Sequence, residues 1–262
     1  MSILHAIILG IVQGLSEFLP ISSSGHLILV PWALGWEELG ADLKRTFDVA
    51  LHMGTFVGVL IYFRADVWRL LTRDRRMGWL LVLASVPAAI TGALLDSLVE
   101  DSLADEWLIG VMLIVFGLVL WWADRLPERM EERAFGVRSA VLMGLAQAAA
   151  LQPGVSRSGV TMSMGRWLGF RRDAAARISF LMSLPIIAGA GLYKGLDVAS
   201  EGGIPAGMGP PFFWGTLASA ITGFFAVWGL LRLVRHTSFF PFVVYRVLIG
   251  AGVIALSASA VR

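Results

Sequence analysis

Gln13-Gly14-Leu15-Ser16-Glu17-Phe18-Leu19-Pro20-Ile21-Ser22-Ser23-Ser24-Gly25-His26 and Pro153-Gly154-Val155-Ser156-Arg157-Ser158-Gly159-Val160-Thr161 are the two stretches whose reading decides the fold. Each is a polar break between two apolar runs, within segments 3–34 and 138–170. The short second run cannot cross a ~30 Å hydrocarbon layer at about 1.5 Å per residue, so both segments are expected to be re-entrant. Irregular backbone at membrane depth persists only where protein or a water-filled cavity shields it from lipid.

Around these breaks the chain is apolar in blocks, at about 47–63, 79–95, 107–123, 178–196, 212–231 and 242–258. Each is about long enough to span a bilayer, the shortest only just. Trp68, Trp79, Trp107, Trp121, Trp122 and Trp214 lie at or near block ends, where aromatic belts form. Of the 262 residues, 57% are hydrophobic and only 15% charged, against about 25% charged in a soluble domain. Mean hydropathy is +0.76. This balance excludes disordered, collagen-like and disulfide-scaffold classes. The absence of Cys removes thiolate metal sites and thiol nucleophiles. The N-terminal stretch lacks a basic n-region and is expected not to be a cleavable signal.

Basic residues alternate between connections. Arg64, Arg69, Arg73, Arg75 and Arg76 follow the first block, and Arg125, Arg129, Arg133 and Arg138 follow the third. Arg166, Arg171, Arg172 and Arg177 precede or open the fourth block, and Arg232 and Arg235 follow the fifth. The other two connections carry Asp96, Glu100, Asp101, Asp105 and Glu106, and Asp197 and Glu201, without a base. The positive-inside rule places the basic connections in the cytoplasm and the acidic ones outside, with Lys44 and Arg45 as exceptions. The pI of 9.4 thus reflects membrane topology. No nucleic-acid partner is expected, because no basic patch is interleaved with exposed aromatics.

The chain also repeats itself. Gly10, Gln13, Ser22, Ser24 and Gly25 recur 134 residues later as Gly144, Gln147, Ser156, Ser158 and Gly159. Ala89-Ile90-Thr91-Gly92 recurs as Ala220-Ile221-Thr222-Gly223, and Leu108-Ile109-Gly110 as Leu248-Ile249-Gly250. We expect a single membrane domain, 1–262, built of two repeats at about 1–127 and 137–262. Three crossings per repeat, an odd number, invert the second relative to the first, which places a site near the midplane. The first break would then enter from outside and the second from the cytoplasm.

In the first break, Gln13 and Glu17 share a helical face that Pro20 ends. A carboxylate at membrane depth is either functional or paired. The serines and Gly25 lead into a half-helix beginning near His26, whose free N–H groups and dipole favour an anion. In the second break Arg157 offers a planar fork suited to phosphate oxygens. Two facing helix N-termini, hydroxyls on each loop and this Arg form a receptor for an oxyanion such as diphosphate. Ser23 and His26, three apart, suit a hydroxyl nucleophile and a nearby base. Three roles are open to Glu17: orienting His26, taking a proton, or holding a divalent cation. The bland readings are helix contacts and caps for single serines, a core histidine, and a structural Glu17–Arg157 pair. Asp48 and His52 form an i, i+4 pair that either supports the site or makes a local hydrogen bond. Arg246 is expected to snorkel from the last span, and Lys194 to sit at the outer interface.

The two breaks, with the Phe47-Asp48-Val49-Ala50-Leu51-His52 stretch, resemble the bacterial undecaprenyl-diphosphate phosphatases of the bacitracin-resistance type. The resemblance runs the length of the chain. It implies hydrolysis of a polyprenyl diphosphate lipid to the monophosphate and inorganic phosphate, recycling the carrier for peptidoglycan and other envelope polymers. By position, the acidic motif falls on Gln13 and Glu17, the serine nucleophile on Ser23 and the histidine on His26. The phosphate-binding arginine falls on Arg157, flanked by Ser156, Ser158, Gly159 and Thr161, with Ser22, Ser24 and Gly25 opposite. A divalent cation, Mg2+ or Ca2+, is implied, with Glu17 and Gln13 as ligands, although Gln at position 13 weakens a two-carboxylate site. Ser23 is preferred as nucleophile, with His26 as base or alternative. The fold expected is an all-α integral membrane protein, an inverted-topology repeat of about six transmembrane helices and two re-entrant hairpins. It would lie in the bacterial cytoplasmic membrane among its lipids, open to the periplasmic side, with a homodimer as one compatible assembly. The alternatives are a transporter or flippase using the same anion site, and a non-catalytic scaffold, which buried Glu17 and Arg157 disfavour.

Overall fold

In the structure, a computed structural model, residues 1–36, 40–102, 105–200 and 203–260 are described, and their regular elements are helices. In chain order these are α1 (Ile3–Phe18), α2 (Ser23–Leu34), α3 (Ala41–Tyr62), α4 (Arg64–Thr72), α5 (Arg75–Ser102) and α6 (Glu106–Asp124). Then come α7 (Val137–Ala148), α8 (Arg157–Trp167), α9 (Arg172–Ser200), α10 (Gly209–Leu233) and α11 (Phe240–Ala260). Glu201, and the side chains of Asp96, Glu100, Asp101 and Asp197, lie outside the described residues.

The six expected apolar blocks fall in the long helices. Five are long and apolar enough to cross a membrane: Arg75–Leu94, Glu106–Asp124, Arg172–Leu196, Gly209–Leu233 and Phe240–Ala258. A sixth, Asp42–Tyr62, continues into Arg64–Thr72 after a bend of 76°. The outward faces of these helices are apolar. On α10, Phe213, Leu217, Ile221 and Phe225 recur every four residues and are exposed, while Phe212, Gly215, Ser219, Gly223 and Val227 are buried. An outward apolar stripe over such length is stable only where the solvent is hydrocarbon. The chain is a multi-pass membrane protein.

Helices meet where their side chains are small. α10 lies between α1 and α3, α7 packs on α5, and α6 packs on α11. At the last contact Gly110 and Gly250 face each other, and a Cβ on either would press on the other's carbonyl oxygen. Such small residues let backbones approach closely, gaining dispersion contact that lipid tails cannot offer.

One expected loop cation is instead buried. Arg166 is 1% exposed. It donates to Phe170 O at 2.6 Å, Asp124 O at 3.0 Å and Leu126 O at 2.5 Å. Its guanidinium also lies 3.7 Å from Asp124 Oδ1 and 3.4 Å from Glu128 Oε1. Arg172 Nε donates to Asp124 Oδ1 at 2.6 Å, and Asp124 Oδ2 accepts the Phe239 N–H at 3.0 Å. This lock ties the ends of α6 and α8 to the starts of α9 and α11. Arg69, Arg76, Arg133, Arg171, Arg177 and Arg235, from four expected cytoplasmic connections, line one cavity of about 670 Å³.

Breaking a buried pair by removing one partner typically costs about 3–5 kcal/mol. Arg166→Ala is expected to lower stability by about that much, seen as a fall in the thermal unfolding midpoint in detergent. Arg166→Lys, lacking the fork, should recover only part of it.

Candidate active site

Both breaks turn on a serine. Pro20 holds Leu19 extended, at φ −65° and ψ 142°, so α1 cannot continue. The chain reverses at Ser22 (φ 77°), and the second break reverses likewise at Ser156 (φ 73°). These are the two non-glycine residues with positive φ among the described residues. Such backbone costs on the order of 1–3 kcal/mol and persists where surroundings over-determine it. Here each serine caps a short helix and its side chain holds a backbone N–H. Ser22 Oγ accepts from Gly154 N at 3.0 Å, joining the two breaks, and Ser156 Oγ accepts from Gly159 N at 3.1 Å. Ser158 Oγ adds a second link, donating to Leu19 O at 3.0 Å.

Glu17 stands at the junction, buried, with both oxygens engaged. Arg157 Nη2 donates to Oε1 at 2.8 Å. Ser23 Oγ donates to Oε2 at 2.5 Å and Gln13 Nε2 at 3.0 Å. His52 Nε2 lies 3.5 Å from the same oxygen, while its Nδ1–H donates to Asp48 O at 2.7 Å. Arg157 Nη1 is buried with no hydrogen-bond partner. Ser22 makes no side-chain cap on α2, so the first N–H groups of that helix have no hydroxyl partner from it. A cavity of about 390 Å³ opens here, lined by Glu17, Ser22, Ser23, Ser24, Ser156 and Arg157, with His52 and Asp48 beside them.

The structure thus joins Glu17, Ser23 and Arg157, the residues expected from the two separate breaks. It does not join Ser23 to His26. His26 Nδ1–H donates to Ser22 O at 2.7 Å, and Nε2 pairs with Tyr245 Oη at 2.7 Å, with the rings stacked. Gly25, Ser158, Gly159 and Thr161 do not line the cavity. Thr161 Oγ1 turns to Arg157 O at 2.7 Å and Ser179 Oγ at 2.6 Å. At Gly159 a Cβ would stand 3.1 Å from Arg246 Nη1, so the guanidinium lies close against the backbone there.

Arg246 does not snorkel. It is fully buried. Its guanidinium donates to Pro20 O at 3.1 Å in the first break, and to Gly154 O at 2.8 Å and Val155 O at 3.1 Å in the second. Nε donates to Leu113 O at 3.0 Å on α6. Carbonyls freed by helix breaks have no water to bond at this depth, and one planar fork satisfies three of them. The signal available in the sequence was a lone Arg between Tyr245 and Val247 inside an apolar span, which by default faces the protein interior.

As a cation site the residues do not fit a resident metal. Among the described residues no group of three His, Asp or Glu side chains could hold an ion. Gln13 turns its NH2 to Glu17 and leaves Oε1 buried without a partner.

Arg246→Leu should therefore unfasten both breaks together. Each bond from a charged donor contributes about 1.5–3 kcal/mol net. We expect a loss of thermal stability and of any Arg157-dependent anion binding, and Arg246→Lys should not restore both. A variant with unchanged stability and binding would contradict the bridging role.

Fold and site together define a multi-pass helical membrane protein whose buried Glu–Arg pair joins two helix breaks. Residues 6–252 match the family described as bacitracin resistance protein BacA, and the chain belongs to that family. It is 47% identical over 269 residues to an undecaprenyl-diphosphatase of Geobacter sulfurreducens, covering 97% of this chain and 98% of that one. A protein of the same name from Pelotomaculum thermopropionicum is 46% identical, covering 99% and 98%. One from Nocardioides sp. is 44% identical, covering 98% and 97%.

Proposed function

We propose that this protein hydrolyses undecaprenyl diphosphate to undecaprenyl phosphate and inorganic phosphate. That recycles the lipid carrier for peptidoglycan and envelope synthesis and confers bacitracin resistance. The observation that carries the mechanism is the Ser23 hydroxyl, 2.5 Å from Glu17 Oε2, beside an arginine with an unpaired Nη1. Ser23 Oγ attacks the terminal phosphorus and its proton passes to Glu17. The bridging oxygen leaves with the lipid monophosphate, and water then cleaves the phosphoserine to release phosphate. Arg157 and the α2 N-terminus neutralise charge on the transferring group. His26, occupied by Ser22 O and Tyr245, positions the first turn of α2, which favours Ser23 over His26 as nucleophile. Ser24 and Ser156 contact substrate from the cavity wall.

The divalent cation, Mg2+ or Ca2+, is proposed to arrive on the diphosphate rather than in a protein cage. The inverted repeat is supported by packing that exchanges the halves: α1 on α10 against α7 on α5, and α3 on α10 against α9 on α5. The matched φ values of Ser22 and Ser156 support it too. We read α1–α2 and α7–α8 as the re-entrant hairpins. The cavity would open to the periplasmic side of the cytoplasmic membrane, opposite the arginine-lined cavity. A homodimer is one assembly compatible with this reading.

The test is phosphate release from a long-chain prenyl diphosphate by purified protein in detergent. Arg157→Ala should lower kcat by about 10²–10³, the range for losing one charge-stabilising donor. Ser23→Ala should lower it by more than about 10³. Wild-type protein that binds the lipid but releases no phosphate would refute the enzyme and leave transport of a phosphorylated lipid by the same anion site.

A further inference from the structure

Lys44 and Arg45 are the bases that break the positive-inside pattern, and Lys194 lies at the same expected outer level near the end of α9. Two of the three come together in one place. Arg45, from α3, and Lys194, from α9, line the same cavity as Glu17, Ser23 and Arg157. Lys44, the neighbour of Arg45, faces a separate cavity of about 550 Å³ between α1, α2 and α3. Arg45 is exposed and Lys194 partly so, whereas Glu17 and Ser22 are buried. The two bases therefore stand at the exposed end of the cavity, with the Glu17–Arg157 pair at its floor.

The charge balance of the floor leaves a need for them. Arg157 is paired with Glu17 at 2.8 Å, so the floor holds one cation and one anion. Asp48 adds a further carboxylate to the wall. A single phosphoryl group is served by the unpaired Nη1 and the α2 N-terminus. A diphosphate brings a second anionic group a bond or two away, which in a concave site walled by Ile186, Ile187 and Ala190 requires its own cations.

Resting on the phosphatase reading, we propose that Arg45 and Lys194 form a second anion clamp, which holds the phosphate that stays on the lipid while Arg157 and Ser23 take the terminal one. The clamp makes the site a diphosphate receptor rather than a receptor for one phosphate. It also neutralises the charge that develops on the departing lipid phosphate.

The experiment is calorimetric binding to the full chain in detergent, with two probes: a prenyl methylenediphosphonate, carrying both groups, and inorganic phosphate, carrying one. Arg45→Gln/Lys194→Gln should weaken diphosphonate binding by thirtyfold or more and phosphate binding by less than threefold. Arg45→Lys/Lys194→Arg, which keeps both charges, should stay within threefold of wild type for each probe. Equal losses for both probes would assign the bases to a general surface field and overturn the clamp, as would no loss at all. Should the double Gln variant fail to fold, Lys194→Gln alone should show an intermediate loss confined to the diphosphonate, and its absence would overturn the clamp equally. A wild type that binds the diphosphonate selectively without hydrolysing prenyl diphosphate would support the clamp and refute the phosphatase reading.

Discussion

The contact between Glu17 and Arg157 is the constraint around which the rest is arranged. Two opposite charges 2.8 Å apart, each far along the chain from the other, survive at this depth only if both helix breaks are brought together and held. Burying an ion is expensive, and the cost is offset only when geometry is good and the remaining polar atoms find partners. Glu17 meets that condition with Ser23, Gln13 and His52 around it. The breaks meet it through Ser22, Ser158 and above all Arg246, whose guanidinium satisfies carbonyls of both loops. The glycine contacts of α6 with α11 place Arg246 near enough to do so.

Much of this was legible in the sequence because hydrocarbon imposes simple rules. A block of apolar residues must be a helix, and the six blocks are. A polar break containing proline and glycine must interrupt one, and Pro20 and Gly154 lie in such interruptions. Residues that carry chemistry were legible as types out of place, so that Glu17, Ser23 and Arg157 were named before their contact was seen. Partnership was not legible. Ser23 and His26 are three apart in sequence, yet Ser23 turns to Glu17 while His26 turns to Ser22 O and Tyr245, because each takes the partner that a different helix, α1 or α11, brings to it. Depth was not legible either. Arg166 and Arg246 were assigned to the surface by the convention that arginines near span ends mark loops or snorkel, and both are buried against carbonyl oxygens that only the folded breaks and loops expose.

Charge in this protein therefore has three uses. Six arginines, drawn from four connections, gather at one cavity. Arg166 and Arg246 are fasteners that replace water for freed carbonyls. Arg157, with Arg45 and Lys194 above it, faces the cavity where an anion would lie. The same residue type is put to opposite ends by depth alone. That is why much of the support for the two breaks lies in helices outside them.

The 2.8 Å pairing implies that Glu17 and Arg157 act as one unit across the two breaks. A double-mutant cycle on phosphate release from a prenyl diphosphate tests it most directly, using Glu17→Gln, Arg157→Gln and the pair together. Contacting residues typically show coupling of about 0.5–3 kcal/mol, whereas distant ones add. If the pair acts as one unit, the double variant is no slower than the slower single variant within about threefold, a coupling at the upper end of that range. Losses that multiply would mean that the two residues act independently, and would contradict it.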